Sequence, residues 1–216
     1  MTLFKTSRLT KKNDGDVLDE FPLEEKWIKQ MLTTLCEYTS VPEEEWNNVK
    51  KRLHFIKIKK NDYFIKAGDS PDKLAYVVQG IFRIFYLSES GNESTLVFRE
   101  EGRMLSAYSS FLENINSLYS FQALEDSILI YLSLADYSEL VAENTCWQTI
   151  TVKYSQMLFV EKEKREIGFL SDDAEARYLT FINNYPKISK RISQYHIASY
   201  LGITPEFLSR IRKRQN

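Results

Sequence analysis

Gln194-Tyr195-His196-Ile197-Ala198-Ser199-Tyr200-Leu201-Gly202-Ile203-Thr204-Pro205-Glu206-Phe207-Leu208-Ser209-Arg210-Ile211 reads as two short helices joined by a tight turn. Counting from Gln194, the fifth position must be small because the helices touch there, and it is Ala198. The ninth must accept a positive φ, and it is Gly202. Ile197, Leu201, Ile203, Leu208 and Ile211 supply the apolar positions that hold the two helices at a fixed angle. Thr204 can cap the second helix, and Pro205 suits its first position. Seven demanding positions are met, which points to a helix-turn-helix. A plain αα-corner would explain the glycine at the bend but not the charge around it.

Residues 187–216 carry Lys187, Lys190, Arg191, Arg210, Arg212, Lys213 and Arg214 against one acid, Glu206, a net of +6. The whole chain of 216 residues has a net charge of -1, so residues 1–186 carry -7. A basic end on an acidic body is the footprint of a phosphate-binding module, here one for double-stranded DNA. Docking geometry then assigns roles. The second helix enters the major groove, where Glu206 can accept from cytosine N4 and Arg210 can reach guanine O6 and N7. Pro205 stands at an early position of that helix, and Ser209 is a weaker base or phosphate contact. Ser193, Gln194, Thr204, Arg212 and Lys213 read as phosphate contacts that position without specifying. Arg212 and Lys213 have a second reading, as solvated charges that balance the helix dipole. Pro205 and Glu206 also keep a rival open: an effector-binding or protein-interaction module whose helix-turn-helix no longer binds DNA.

Upstream, the apolar rhythm divides the chain. Residues 1–22 are polar, with mixed charge, and read as a flexible arm. Residues 23–136 begin with two helices. Leu23, Trp27, Ile28, Met31, Leu32 and Leu35 recur at helical spacing, and Ser40-Val41-Pro42-Glu43 resembles a capping signal. Short β-rich runs follow at 53–59, 73–79, 81–87, 93–98 and 127–133, punctuated by Gly68, Gly80, Gly91 and Gly102. That spacing suggests a β-barrel or jelly roll. Residues 137–170 are free of proline and predict one long helix. Ile150, Tyr154, Met157, Val160 and Ile167 mark either its packing on the β domain or a dimer seam. Asp172 with Glu175 predicts the cap of the next helix, opening a C-terminal unit at 171–216. The expected fold is therefore α+β.

Other classes recede. The most apolar stretch, residues 128–134, is strand-sized, and the first residues hold no signal core, so a cytoplasmic protein without a membrane partner is expected. Two cysteines and two histidines are too few for a disulfide framework, an iron–sulfur cluster or a dedicated zinc site. No cofactor or metal is expected. His54, alone on a strand, reads as structural rather than as a haem ligand. No Ser–His–Asp spacing, P-loop or metal motif suggests an enzyme.

The strand rhythm, the long helix and Gln194-x-x-Ile197-Ala198-x-x-Leu201-Gly202-Ile203-Thr204-x-x-x-Leu208-Ser209-Arg210-Ile211 together resemble the Crp/Fnr family of bacterial transcription regulators. The resemblance spans roughly residues 23–216, with Gly68, Gly80 and Gly91 as counterparts of the family's glycines. It implies a cyclic-nucleotide-binding-type double-stranded jelly roll and a homodimer joined through the long helix. It also implies a winged helix-turn-helix on a palindromic operator, with RNA polymerase as a further partner if the protein activates. The segment 187–193 leaves room only for a reduced wing. The effector pocket departs from the family pattern. Where nucleotide-binding members carry Gly-Glu, this chain has Ser106-Ala107, and where they carry Arg-Ser or Arg-Thr it has Ser117-Leu118. From residue 104 to 152 there are six acids and no Lys or Arg. Burying a cyclic phosphate without a cation is costly, so cyclic AMP is not expected as effector. Ser106, Ala107, Tyr108, Phe111, Leu118 and Tyr119, with Phe121, leave two readings: a filled core, or a pocket for a neutral or cationic small molecule.

Overall fold

The computed structural model describes residues 25–215; the arm expected at 1–22 lies outside the described residues. Helices α1 (Glu25–Cys36) and α2 (Glu43–Lys50) lead into eight strands. These are β1 (His54–Ile58), β2 (Tyr63–Ile65), β3 (Lys73–Gln79), β4 (Phe82–Leu87), β5 (Glu93–Arg99), β6 (Met104–Leu105), β7 (Ser120–Ala123) and β8 (Ser127–Ser133), with the short α3 (Tyr108–Leu112) between β6 and β7. They form two antiparallel four-stranded sheets, ordered β1-β8-β3-β6 and β2-β7-β4-β5. The sheets face each other across Ile58, Val77, Phe82, Leu105, Phe121 and Leu129, all buried. This is the β-roll expected from the strand rhythm. β2, β6 and β7 were not legible in it, because runs of two to four residues carry too little alternation to mark a face.

The tight corner between β3 and β4 shows why one glycine matters. Gly80 sits at φ +110°, and a Cβ there would lie 2.0 Å from the Ser127 Oγ. Its N–H donates to Glu101 Oε1 at 2.8 Å. The position thus needs both a left-handed backbone and empty space.

Helices cover the outer face of the first sheet. Ile28, Met31 and Leu35 of α1 pack with Tyr76, Val78 and Ile130, and with Leu140, Trp147 and Ile150 from the helices that follow β8. Here the structure corrects three expectations. Residues 137–168 are not one helix: α4 (Leu134–Glu143) and α5 (Thr145–Ser171) are separated at Asn144, whose backbone is extended and whose side chain accepts from Cys146 N at 2.9 Å. A side-chain acceptor in that position starts a new helix even without proline or glycine. α2 is preceded by Pro42 and has no side-chain cap, so Ser40 does not serve as one. The cap of α6 (Ala174–Asn184) is Asp173, accepting from Ala176 N at 2.8 Å, rather than Asp172.

After α6 come α7 (Ile188–Arg191), α8 (Gln194–Leu201) and α9 (Pro205–Gln215). The reduced wing is replaced by the single turn of α7, and no strand follows β8 among the described residues. Ile188 and Ile192, one helical turn apart and both buried, pin that segment into a third core. This core joins the C-terminal helices to the roll: Phe181, Ile197, Ala198, Leu201 and Leu208 pack with Ile81, Phe98 and Leu124.

Candidate nucleic-acid interface and cavity

The turn between α8 and α9 has the geometry its sequence requires. Gly202 closes α8 in the left-handed region, at φ +69°. Ala198 is fully buried where the helices cross, and Leu208 and Ile211 anchor α9 from beneath. Ser193 caps α8 through a bond accepted from His196 N, and Thr204 Oγ1 accepts from Phe207 N at 3.2 Å at the start of α9. Pro205, Glu206, Ser209, Arg210, Arg212 and Lys213 are all exposed on α9. Backbone N–H and the Thr204 hydroxyl hold the Glu206 carboxylate below its usual range, so it stays an acceptor. The Arg210 guanidinium lies 5.2 Å from the centre of the Phe207 ring. Gln194 is half-buried, with its Oε1 buried and without a partner. Exposed Phe207 and Tyr195 flank the same surface and had no signal in the charge pattern.

Not every basic residue of the C-terminal unit is free. Arg191 of α7 pairs with Glu101 at 2.7 Å and with Glu125, both on the roll. The hydrogen bonds that its guanidinium donates to the Glu101 carboxylate, and then to Glu125, raise its pKa above even the ordinary arginine range against the opposing effect of burial. Its charge docks α7 onto the roll.

A second junction lies between α8 and the β4–β5 hairpin. Arg83, with 1% of its side chain exposed, ion-pairs with Glu93 and donates to His196 Nδ1 at 2.9 Å. That bond leaves the imidazole proton on Nε2. Burial, and then the Arg83 charge, push the His196 pKa down to about 4. Beside it, Ser199 Oγ meets Thr95 N and Thr95 Oγ1, each at 3.0 Å, and donates to Glu93 O at 3.1 Å. Arg165 of α5 completes the junction, donating to Thr95 O at 3.0 Å and Tyr200 O at 3.2 Å. Arg83 and His196 are 113 positions apart, so no local pattern could have paired them.

Between the roll and α5 lies a cavity of about 750 Å³. Of the residues expected around an effector, Ser106, Ala107, Tyr108 and Tyr119 line it, as does Phe121. Phe111 does not: it stacks on Tyr108 and lines a shallower cleft near His54. Leu118 is half exposed on the surface. Ser117, where a phosphate-binding arginine would stand, is buried and bonded to the backbone of Tyr119. The remaining walls include Tyr76 of β3, Tyr137 of α4, and Tyr154 and Leu158 of α5. Ala107 and Phe121 are at the same time part of the buried core between the sheets, with Tyr119 packed against them. Burial pushes the Tyr137 phenol up to about 12 and raises Tyr154 as well, so both are neutral at ordinary pH. Arg99 at the end of β5, which also lines the cavity, is paired with Glu161 at 2.7 Å; burial opposes its charge and the carboxylate restores it.

The proposed seam residues divide. Ile150 is buried against the roll of its own chain, Tyr154 accepts from Met104 N at 3.0 Å, and the Met157 sulfur meets Tyr38 and Arg103. These three make contacts within their own chain. Val160 and Ile167 are exposed, and Val152 and Phe159 join them on the same outer side. Among the described residues, no cluster of His, Cys, Asp or Glu could hold a metal, and no helix is long and apolar enough to cross a membrane.

Residues 55–144 match the family model of the cyclic nucleotide-binding domain. None of the curated proteins matches the chain. Solved structures do. The c-di-GMP responsive global regulator CLP of Xanthomonas campestris superposes with a TM-score of 0.65 at 16% identity, covering 81% of this chain and 91% of CLP. A CooA mutant from Carboxydothermus hydrogenoformans gives 0.66 at 17% identity, covering 85% and 83%. A crp/fnr-family regulator from Eubacterium rectale gives 0.66 at 18% identity, covering 81% and 83%. At these identities the likeness is one of fold. Residues 55–144 are thus a cyclic nucleotide-binding-type domain, set in a chain whose structural neighbours are Crp/Fnr regulators.

Proposed function

We propose that the chain is a homodimeric, sequence-specific DNA-binding regulator of transcription, of the Crp/Fnr type, that does not respond to cyclic AMP. The observation that carries this reading is the outer face of α9. Glu206, Ser209 and Arg210 project from a helix whose inner face is locked by Ala198, Leu208 and Ile211 and whose entry is set by the Gly202 turn. Arg212, Lys213 and Arg214 add exposed positive charge at its end. Such a helix can lie in a major groove with its first residues toward the base edges, while Ser193 and Thr204 hold phosphates. The exposed stripe Val152, Phe159, Val160 and Ile167 on α5 supports a two-fold partner, which a palindromic operator requires. Independence from cyclic AMP is supported by Ser106-Ala107 and by the bonded Ser117, which put no cation at the positions where nucleotide-binding members hold the cyclic phosphate.

Selection of genomic fragments by the purified protein, followed by binding titration, tests the reading. Arg210→Ala is expected to weaken the selected site by roughly 5- to 150-fold, the worth of about 1–3 kcal/mol for one bidentate base contact. Random DNA should lose much less. Equal loss on both would remove the base-reading role. A second reading, in which the helix pair is an interaction module seated on the roll, is favoured by the Arg83–His196 and Thr95–Ser199 contacts that hold α8 there. No fragment enrichment at low salt would decide for it.

A further inference from the structure

Helix α9 carries a phenyl ring among the charged side chains of its outer half, and charge does not account for it. We infer that Phe207 is a specificity-determining residue, whose ring reads the methyl group of a thymine beside the guanine that Arg210 reads. This rests on the DNA-binding reading and deepens it, since Glu206 and Arg210 supply contacts to cytosine and guanine but none to thymine.

The placement of the residue is fixed by the start of the helix. Phe207 is the third residue of α9, and its N–H donates to Thr204 Oγ1 at 3.2 Å, so the cap holds its backbone. At about 100° per residue, it lies about 60° around the helix from Arg210 and about 40° from Ile211. It therefore stands on the border between the outer face and the buried one. Exposure follows that border: Leu208 and Ile211 are 0% and 2% exposed, whereas Phe207 is 37% exposed.

The contact with Arg210 fixes where the ring is turned. The Arg210 Cζ lies over the ring, 5.2 Å from its centre. Side chains three positions apart on a helix are neighbours, and here they share one patch. Glu206 lies on the other flank of Arg210, about 40° away on the same wheel. The arginine that reaches for guanine thus has a carboxylate on one side and an apolar ring on the other.

The chemistry of the groove says what such a ring can tell apart. Guanine offers O6 and N7 to an arginine fork, and cytosine offers its amino group to a carboxylate. Thymine alone offers a methyl group, which takes an apolar side chain. A phenyl ring makes no strong hydrogen bond to a base edge, so the methyl is the feature it can select, by removing both from water. Three residues advance about 4.5 Å along the helix axis, against about 3.4 Å between neighbouring bases of a strand. The thymine therefore falls within two steps of the guanine.

The probe is a synthetic duplex bearing the half-sites recovered by fragment selection, titrated with the full chain. Its thymines are replaced one at a time by deoxyuridine, which deletes the methyl and keeps every hydrogen-bonding group. Replacing guanines by 7-deazaguanine, in wild type and in Arg210→Ala, locates the guanine that Arg210 reads. A thymine within two steps of it is expected to matter: deoxyuridine there should weaken the wild type by about fourfold per half-site, the worth of one buried methyl group. In Phe207→Ala the ratio of the two affinities should fall to about one. Each figure compares two duplexes on one protein, so a change in the variant's stability cancels. A half-site in which no guanine depends on Arg210, or no thymine lies within two steps of it, would overturn the inference. So would a wild type indifferent to every deoxyuridine, or a methyl effect as large in Phe207→Ala as in wild type. Those results would leave DNA binding standing, whereas recovery of no fragment at all would remove both readings together.

Discussion

Arg83 carries the most consequence per atom. It is a guanidinium with almost no exposed surface, held by Glu93 on one side and by a neutral His196 on the other, with its Cζ 4.1 Å from the Phe85 ring centre. Removing it strands a carboxylate and an imidazole at the junction. Arg83→Ala should cost about 2–4 kcal/mol in denaturant unfolding, and proteolysis near Asp172 should quicken as α8 loosens. His196 adds a pH signature. Its folded pKa is about 4, below the unfolded value of about 6.5, so the unfolded chain takes up the proton first. Stability from this residue is complete above the unfolded value and is lost as pH falls from there toward 4. Thermal midpoints measured across that window should fall with pH, and His196→Gln should flatten the slope; an unchanged slope would mean that the imidazole is already charged in the fold.

Helix α5 is an element with two apolar sides, and that explains why its sequence resisted a single reading. One side serves the chain's own roll through Ile150, Tyr154 and Met157, and the other leaves Phe159 66% exposed. Phe159→Glu combined with Val160→Glu should turn a dimer into a monomer in analytical ultracentrifugation while the helix content holds. Tyr154→Phe, which removes the hydroxyl bonded to Met104 N, should keep the dimer and cost only about 1 kcal/mol of stability. If Tyr154→Phe dissociated the dimer and the double glutamate variant did not, the two sides would be assigned in reverse.

Across the whole molecule, the charge asymmetry is real but partly spent inside. Arg191 belongs to the +6 end by sequence, yet its guanidinium is committed to Glu101 and Glu125 on the acidic roll. Salt titration of DNA affinity separates the two uses of charge. Each phosphate contact contributes about -0.9 to the slope of log affinity against log salt. Lys213→Ala should therefore reduce the slope by about one, whereas Arg191→Ala should leave it unchanged and lower the unfolding midpoint instead. A slope change in Arg191→Ala would place that residue on DNA.

The same comparison shows what was legible from residues alone. The β-roll, the α8–α9 pair and its Gly202 turn rest on spacing within a few residues, where steric rules on glycine, caps and apolar periodicity act directly. The break at Asn144 and the loss of the wing to α7 lay at the edge of that reach, since one side-chain cap or two buried isoleucines decided each. Phe111 and Leu118 neighbour the cavity-lining residues in sequence, yet the turn of the chain carries them outside the cavity. By itself, then, the sequence determined the two modules and the acidic and basic ends, because those depend on local pattern and summed charge. Only the tertiary structure decided that His196 meets Arg83, that Arg191 is consumed by the roll, and that a cavity opens along α5. Those are contacts between residues 62 to 113 positions apart, and no local rule of sequence governs which of them will meet.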